Sequence, residues 1–254
     1  MIFFAIKINK LTKPTIMEIN ILLGEFFGTM ILVLLGNGVV ANALLTDSKA
    51  NGSGWMVIAS GWAFAVFAGV FVALAFGAPA HLNPAVTLGF AISSGDFSSV
   101  MPFFGVQFLG AFAGAILVFL HFGPHWKVTE DAGLKLAAFS TGPAIRKSGW
   151  NVVSEAIGTF VLVLGVAAIF SGDVAAGMGP FLVGGLVWGI GLSLGGTTGY
   201  AINPARDLGP RIAHFLLPIP GKGDSDFAYS WVPVVGPLLG GAAAGLFIMI
   251  LPVL

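Results

Sequence analysis

Short motifs that recur in the same order in both halves of this chain limit its fold more than any other feature. Residues 25–34 read EFFGTMILVL and residues 155–164 read EAIGTFVLVL. Asn-Pro-Ala occurs within NPAVTLG from residue 83 and again within NPARDLG from residue 203. A third, weaker match of one proline and two glycines follows each Asn-Pro-Ala. Three matches in one order indicate that the fold is built from two copies of one unit.

Each copy contains three apolar segments that are long enough to cross a membrane. A spanning helix needs about 20 mostly apolar residues. Six segments meet this requirement: 19–44, 55–77, 100–122, 152–171, 178–196 and 231–254. Only 9% of the residues are charged, against about 25% in a typical soluble domain. The composition therefore argues against a soluble globular enzyme, and it excludes a disordered chain because such chains are poor in apolar residues.

The charge balance and the missing cysteines exclude further classes of function. With 11 basic and 11 acidic residues the formal net charge is zero, which removes the basic surface expected of a nucleic-acid binder. A chain without cysteine has no disulfides, thiolate metal sites or thiol catalysis. His121, His125 and His214 are scattered along the sequence and do not form a metal site. We therefore expect no metal and no cofactor.

Two further apolar segments are too short to span and follow directly on asparagines. They cover residues 84–92, after Asn83, and residues 204–216, after Asn203. Asparagine is favoured at the N-cap and proline at the first helical position, so both segments are predicted to be half-helices that start at a proline. Three spans per copy is an odd number, so the second copy enters the membrane from the opposite side. The predicted fold is an all-α membrane protein with six transmembrane helices and two re-entrant half-helices in an inverted repeat.

We expect a single domain to account for almost the whole chain. A short N-terminal segment, residues 1–17, precedes this domain, which covers residues 18–254. Its parts are a first repeat over 18–122, a loop over 123–150 and a second repeat over 151–254.

The basic residues before the first span favour a cytoplasmic N-terminus. They are Lys7, Lys10 and Lys13, and short cytoplasmic segments carry an excess of lysine and arginine. An even number of spans brings the C-terminus to the same side, so both termini are predicted to be cytoplasmic. Lys127, Lys135, Arg146 and Lys147 oppose this orientation, because it places their loop outside.

Half-helices that meet at the middle of a membrane imply a wet cavity. Non-helical backbone at membrane depth is tolerated only where protein buries it or where it lines such a cavity. The N-termini of the half-helices carry partial positive charge and repel cations and protons. The side-chain amides of Asn83 and Asn203 are expected to donate hydrogen bonds into the pore. A water molecule held by two donors presents its oxygen and does not easily relay a proton.

These motifs resemble the aquaporin and glycerol-facilitator family, the major intrinsic proteins. The resemblance covers nearly the whole chain after Met17, and its motifs are HLNPAVT from His81 and GYAINPARD from Gly199. Glu25 and Glu155 at matching repeat positions add to it. It marks Asn83, Pro84 and Ala85, and Asn203, Pro204 and Ala205, as the two pore motifs. It also implies a right-handed helix bundle with a pore in every protomer, a homotetramer surrounded by lipid, and a bacterial cell membrane as the location.

The resemblance further implies a selectivity filter of four residues: Trp62, Gly191, Tyr200 and Arg206. Narrow water channels usually have a histidine at the position of Gly191, whereas an aromatic pair beside a cation resembles a glycerol filter. Apolar ring faces suit the CH groups of a polyol, while Arg206 donates to its hydroxyls.

Other residues near the filter refine this interpretation. Asp207, directly after Arg206, also resembles the glycerol branch. Ala63 and Phe64 are alternatives to Trp62 at the filter position on the second span. Tyr200 stands where phenylalanine is commoner in glycerol channels, which predicts a more polar filter.

The remaining polar residues are interpreted as structural support. Glu25 and Glu155 are expected to accept hydrogen bonds from loop backbone rather than to relay protons, because buried backbone must be satisfied. His81 is expected to steady the first half-helix; gating by protonation is the alternative, since its ordinary pKa is near 6.5. Asp207 is expected to cap or anchor its loop.

We therefore expect a passive channel, not an enzyme, that conducts glycerol with water and excludes protons and ions. The alternatives are a water-selective aquaporin and a facilitator of protonated lactic acid or urea. A coupled transporter also uses inverted repeats and broken helices, but the half-helix N-termini present the wrong dipole end to a coupling cation. An intramembrane hydrolase needs a nucleophile and base or a metal, and no His-Glu-x-x-His run occurs.

Overall fold

A computed structural model describes residues 13–251, with side chains from residue 19 onward. The helices follow one another in this order: α1 (Lys13–Leu44), α2 (Trp55–Ala75), α3 (Pro84–Ser94), α4 (Val100–His121), α5 (Gly123–Val128), α6 (Ala132–Ala137), α7 (Ser148–Ser171), α8 (Met178–Leu194), α9 (Pro204–Leu216) and α10 (Val232–Ile250). Helices α3 and α9 are the two half-helices that the sequence predicts, and both begin at the predicted prolines.

Five helices within residues 13–251 are long and apolar enough to cross a membrane: α1, α2, α4, α7 and α10. The sixth predicted span, α8, has 17 residues, at the lower end of the range of about 17–25 for a spanning helix. Helix α1 begins at Lys13, so the predicted N-terminal segment 1–17 is partly helical. Residues 1–12 of that segment and residues 252–254 of the last predicted span lie outside the described residues.

The segment predicted as a loop, residues 123–150, contains two short helices, α5 and α6, and the first residues of α7. It packs into one end of the bundle, as the burial of Trp126 and Phe139 shows. Asn37 on α1 donates a hydrogen bond to the Phe139 carbonyl at 2.9 Å, and His125 Nδ1 lies 2.9 Å from the Thr46 carbonyl. This connection is therefore part of the folded core rather than a free surface loop.

The two repeats have the same internal packing. Helix α1 packs against α2 and α4, and the matching helix α7 packs against α8 and α10. Each half-helix, however, lies mainly against the last long helix of the other repeat: α3 against α10, and α9 against α4. The inverted repeat is thus confirmed, and the repeats interlock through their half-helices.

Glycines allow the half-helices to approach these partners closely. A Cβ atom at Gly241 on α10 would overlap the Ala85 carbonyl oxygen, and one at Gly245 would overlap the Gly89 carbonyl oxygen on α3. At the other half-helix, a Cβ atom at Gly209 on α9 would lie 2.9 Å from the side chain of Ala111 on α4. Such small residues let helix backbones touch in membranes.

Candidate functional site

Each half-helix starts with an asparagine cap. Asn83 Oδ1 accepts a hydrogen bond from the Ala85 amide at 2.8 Å. Asn203 Oδ1 accepts from the amides of Ala205 and Arg206 at 3.0 and 3.2 Å. These bonds satisfy amides that would otherwise be unpaired at a helix N-terminus, and they fix the orientation of both asparagine side chains.

The same asparagines join the two repeats at the centre of the bundle. Asn83 Nδ2 donates to the Ile202 carbonyl at 2.7 Å, and Asn203 Nδ2 donates to the Leu82 carbonyl at 2.8 Å. Each amide nitrogen carries two hydrogens, so one on each asparagine remains available. Both asparagines line the central cavity, where these hydrogens can meet a solute.

The loops that enter the half-helices have an unusual backbone. Ala80 and Leu82 have positive φ angles of 60° and 52°, and Tyr200 and Ile202 have 38° and 42° at the matching positions. Residues other than glycine are strained in this region by about 1–3 kcal/mol each. The surrounding structure must therefore hold these two segments, which line the cavity.

Two buried glutamates hold these loops. Each uses both carboxylate oxygens to accept backbone amides from the loop of its own repeat. The four bonds join Glu25 to His81 N and Leu82 N at 2.7 Å each, and Glu155 to Ala201 N at 3.0 Å and Ile202 N at 2.7 Å. This geometry is the structural role expected for Glu25 and Glu155 from the sequence.

His81 lies in a polar network beside the first half-helix. Its Nδ1 is 3.1 Å from Thr87 Oγ1, and its ring stacks on Phe90 with centroids 5.4 Å apart. Gln107 on α4 donates to Glu25 Oε2 at 2.9 Å and to Thr87 Oγ1 at 3.1 Å. The sequence analysis missed Thr87 and Gln107. Two signals were available: Gln107 is a polar residue inside an apolar span, and Thr87 occupies the repeat position that matches Asp207.

Asp207 anchors the second half-helix through a buried ion pair. Its carboxylate accepts hydrogen bonds from Arg211 Nε at 2.9 Å and from the Thr141 amide and hydroxyl at 2.7 Å each. Arg211 also donates to the carbonyls of Ser225, Asp226 and Thr141. The side chains of Asp207 and Arg211 are both fully buried. Sequence reasoning assigned an anchoring role to Asp207 but did not find Arg211.

Three of the four residues predicted to form the filter border the cavity together: Trp62, Tyr200 and Arg206. The guanidinium carbon of Arg206 lies 4.1 Å from the centroid of the Trp62 ring, which is a close cation–π contact. Among the described residues, this guanidinium takes part in no hydrogen bond or ion pair, and the hydrogen bond of Arg206 to Asn203 uses its backbone amide. Its N–H groups are therefore available to a solute in the cavity.

Trp62, rather than its alternatives, faces the cavity. Phe64 points outward and is 62% exposed, whereas Trp62 is 3% exposed. The carbonyl of Ala63 packs against Gly184 on α8. The Trp62 ring lies directly against Gly36 on α1, where a Cβ atom would overlap the six-membered ring. Gly36 thus makes the space in which Trp62 stands beside Arg206.

Gly191 supports the filter from behind, which differs from the sequence expectation. Tyr200 lines the cavity and Gly191 does not, and the Tyr200 ring is the nearest neighbour of Gly191 on the side where a side chain would stand. A Cβ atom at Gly191 would be 2.9 Å from both Cζ and Oη of Tyr200. The Tyr200 hydroxyl is buried there without a partner among the described residues. It therefore does not make the filter more polar, as the sequence had suggested.

The cavity has a volume of about 370 Å³ and two unlike sides. One side carries the loops, the asparagines and Arg206. The other is formed by aliphatic side chains of α2, α7 and α8: Val66, Val70, Leu162, Val166, Val183 and Val187. No group of three or more metal-binding side chains occurs within the described part of the chain. The arrangement offers polar contacts along one side of a solute and apolar contacts along the other.

Comparison with known proteins agrees with this geometry. The family described as "Major intrinsic protein" matches residues 12–248. The chain belongs to this family. With at least five helices that are long and apolar enough to span a bilayer, it is an integral membrane protein. Membership confirms the resemblance on which the sequence interpretation rested.

Similar family members have been named for glycerol uptake. The chain is 58% identical to glycerol uptake facilitator protein 3 of Lactiplantibacillus plantarum, covering 91% of this chain and 96% of the relative. It is also 58% identical to the glycerol uptake facilitator protein of Streptococcus pneumoniae, over 89% and 96% of the two chains. Among solved structures, the aquaglyceroporin from Plasmodium falciparum matches with a TM-score of 0.80 and 29% identity, over 92% of this chain and 97% of that chain. These relatives are bacterial and protozoan, and none of these names denotes an enzyme.

Proposed function

We propose that this family member is a passive channel that conducts glycerol, lets water pass with it and excludes protons and ions. One observation carries the proposal: the unpaired N–H groups of Arg206 face a cavity beside the aromatic rings of Trp62 and Tyr200. The names of the relatives support the same solute.

Glycerol fits this site because the cavity has both a polar and an aliphatic lining. The hydroxyls meet the Arg206 guanidinium, the second hydrogens of Asn83 and Asn203, and the loop segments before them. The CH groups meet the ring faces and the aliphatic wall. Each hydrogen bond offered in the pore offsets one lost to bulk water, so a small neutral polyol enters without a large desolvation cost.

Protons and cations are excluded by the same groups. Both half-helices direct their N-termini, with partial positive charge, toward Asn83 and Asn203. Arg206 adds a full positive charge to the constriction. The field at the centre therefore opposes any cation, while a neutral solute passes.

The proposal also covers the location, orientation and oligomeric state of the channel. Residues 18–254 form one channel domain in a bacterial cell membrane, with both termini cytoplasmic and four copies in a homotetramer. Lys7, Lys10 and Lys13, which precede the apolar span that begins at residue 19, support this orientation. Large exposed apolar side chains support contact with lipid or with other copies, among them Phe64, Phe71, Leu109, Phe181 and Trp188.

One observation favours a narrower, water-selective channel as the second candidate. The Tyr200 ring occupies the space that the missing side chain of Gly191 leaves, so the filter is less open than the sequence suggests. The two candidates differ in a single quantity, the permeability of glycerol relative to water.

Stopped-flow light scattering on proteoliposomes tests the proposal. An impermeant osmolyte measures water efflux, and a glycerol gradient measures glycerol re-entry. We expect both to exceed those of empty liposomes and to be independent of proton and sodium gradients. Water efflux without glycerol re-entry would show the water-selective channel instead, and fluxes coupled to an ion gradient would overturn both.

Gly36→Ala should narrow the filter. The added methyl would overlap the Trp62 ring, which has to move toward Arg206. We expect the glycerol permeability per inserted protein to fall by about tenfold, the factor that 1.4 kcal/mol of extra barrier produces, and the water permeability to fall less because water is smaller. Gly38→Ala on the same helix is the control, since a Cβ atom there meets nothing within 4 Å. Equal losses of both permeabilities would argue against Trp62 as a filter wall.

A further inference from the structure

Trp55 lies at one end of the bundle, outside the set of filter residues. It is the first residue of α2, and it is 40% exposed. The indole Nε1 donates a hydrogen bond to the Gly191 carbonyl on α8 at 2.9 Å. This bond links the start of α2 to the end of α8 and fixes the plane of the indole.

The indole also contacts the ring of Tyr200. The two rings meet edge to face with centroids 5.7 Å apart and an interplanar angle of 74°. Both converge on Gly195, where a Cβ atom would lie 2.5 Å from Tyr200 Cδ1 and 2.7 Å from Trp55 Cζ2. The Tyr200 ring therefore stands in a slot formed by Gly191, Gly195 and the Trp55 indole.

Packing alone holds the Tyr200 ring in this slot. Its hydroxyl is buried and has no hydrogen-bond partner among the described residues. The backbone at Tyr200 is strained, with φ of 38°, so the main chain does not favour this placement by itself. Two walls of the slot are the backbone of Gly191 and Gly195. Trp55 is the only one of the three wall residues that contributes a side chain.

The cavity lies on the opposite side of Tyr200 from this slot. Tyr200 lines the cavity, whereas Trp55, Gly191 and Gly195 do not. Removing the indole would open space behind the Tyr200 ring, and the ring could withdraw from Arg206. Adding a side chain at Gly191 would act in the other direction and push the ring toward the cavity.

We infer that Trp55 is a positioning residue that sets the size limit of the filter by holding the Tyr200 ring against the cavity. The inference rests on the proposed function, because it assumes that Tyr200 borders the path of the solute. It adds a specificity determinant that does not touch the solute itself.

The experiment compares glycerol with the four-carbon polyol erythritol in stopped-flow measurements on proteoliposomes. Trp55→Ala should raise the ratio of erythritol to glycerol permeability by about tenfold, the lower end of the discrimination that one carbon unit produces in a fitted pocket. Trp55→Phe keeps an aromatic edge but loses the N–H donor, so its ratio should lie between those of the wild type and Trp55→Ala. Gly191→Ala should lower the ratio.

A double-mutant cycle separates positioning from a general structural role. If Trp55 acts through Tyr200, Trp55→Ala should leave the ratio unchanged in a Tyr200→Ala background. A merely structural role would reduce the amount of inserted protein and scale both permeabilities equally in both backgrounds. Should Trp55→Ala fail to insert, Trp55→Leu gives the same test with a smaller expected rise.

The outcomes distinguish this inference from the proposed function. Wild-type vesicles without glycerol flux would overturn the proposed function whatever the variants do. Wild-type vesicles that conduct glycerol, with an unchanged ratio in Trp55→Ala and Trp55→Leu, would overturn only the role of Trp55. A raised ratio that persists in full in the Tyr200→Ala background would also overturn it, because the effect would then not pass through Tyr200.

Discussion

Replacing Gly241 by alanine is expected to destabilise the whole bundle, although only one methyl group is added. That methyl would overlap the Ala85 carbonyl oxygen, and a backbone atom cannot move aside as a flexible side chain can. Overpacking typically costs about 1–3 kcal/mol and occasionally more. Here the displaced backbone belongs to the first turn of α3, so Asn83 and its contacts should move as well. We expect a lower unfolding temperature in detergent and a large loss of glycerol flux per inserted protein.

Gly105→Ala on α4 is the matched control. A Cβ atom at Gly105 meets nothing within 4 Å, and the residue is exposed in the described structure. Alanine is favoured over glycine inside a helix by about 1 kcal/mol. Gly105→Ala should therefore be neutral or slightly stabilising. Equal behaviour of the two variants would contradict the close backbone contact between α10 and α3.

Asp207→Ala should be comparably damaging, for an electrostatic reason. The substitution leaves the Arg211 guanidinium fully buried without its carboxylate, and it removes the acceptor of the Thr141 amide and hydroxyl. Breaking a buried ion pair by removing one partner costs about 3–5 kcal/mol. For a chain of this size we expect the unfolding temperature in detergent to fall by roughly 10 °C, as measured by intrinsic tryptophan fluorescence during heating.

A second ion pair in the chain, between Arg146 and Asp226, is the control for this prediction. This pair lies in the same region, but the Arg146 side chain is 52% exposed. Exposed pairs contribute about 0–1 kcal/mol because water screens them. Arg146→Ala should therefore change the unfolding temperature by only a few degrees. A similar loss in both variants would mean that burial of the Asp207 pair is not what makes it important.

The fold could be predicted from the sequence because its signals are local. The half-helices begin where an asparagine cap meets a proline, and the spans are apolar runs of sufficient length. Helix α9 ends at the predicted residue, Leu216. Helices α5 and α6 were missed because a helix of six residues is too short to show an amphipathic period.

The filter could be predicted only in part, because its geometry depends on contacts between distant segments. The resemblance to the family, carried over from the second Asn-Pro-Ala, marked Arg206 and Tyr200 as candidates. It could not reveal that the Tyr200 ring covers Gly191, or that Trp55 lies behind it. The sequence also did not predict that Gln107 bonds to Glu25 or that Arg211 bonds to Asp207. No local pattern shows which polar residue will contact a given carboxylate.

The exchange of half-helices between repeats has a consequence for biogenesis. Helix α3 is covered by α10, which the ribosome produces only after the whole first repeat and the other helices of the second repeat, so α3 lacks this partner while the first half of the chain is being inserted. A nascent chain that stops before α10 lacks Gly241 and Gly245, against which the backbone of α3 packs. For the same reason, an ancestral protein with only one repeat would have covered its half-helix only by pairing with a second copy of opposite orientation. Such a protein must have entered the membrane in both orientations.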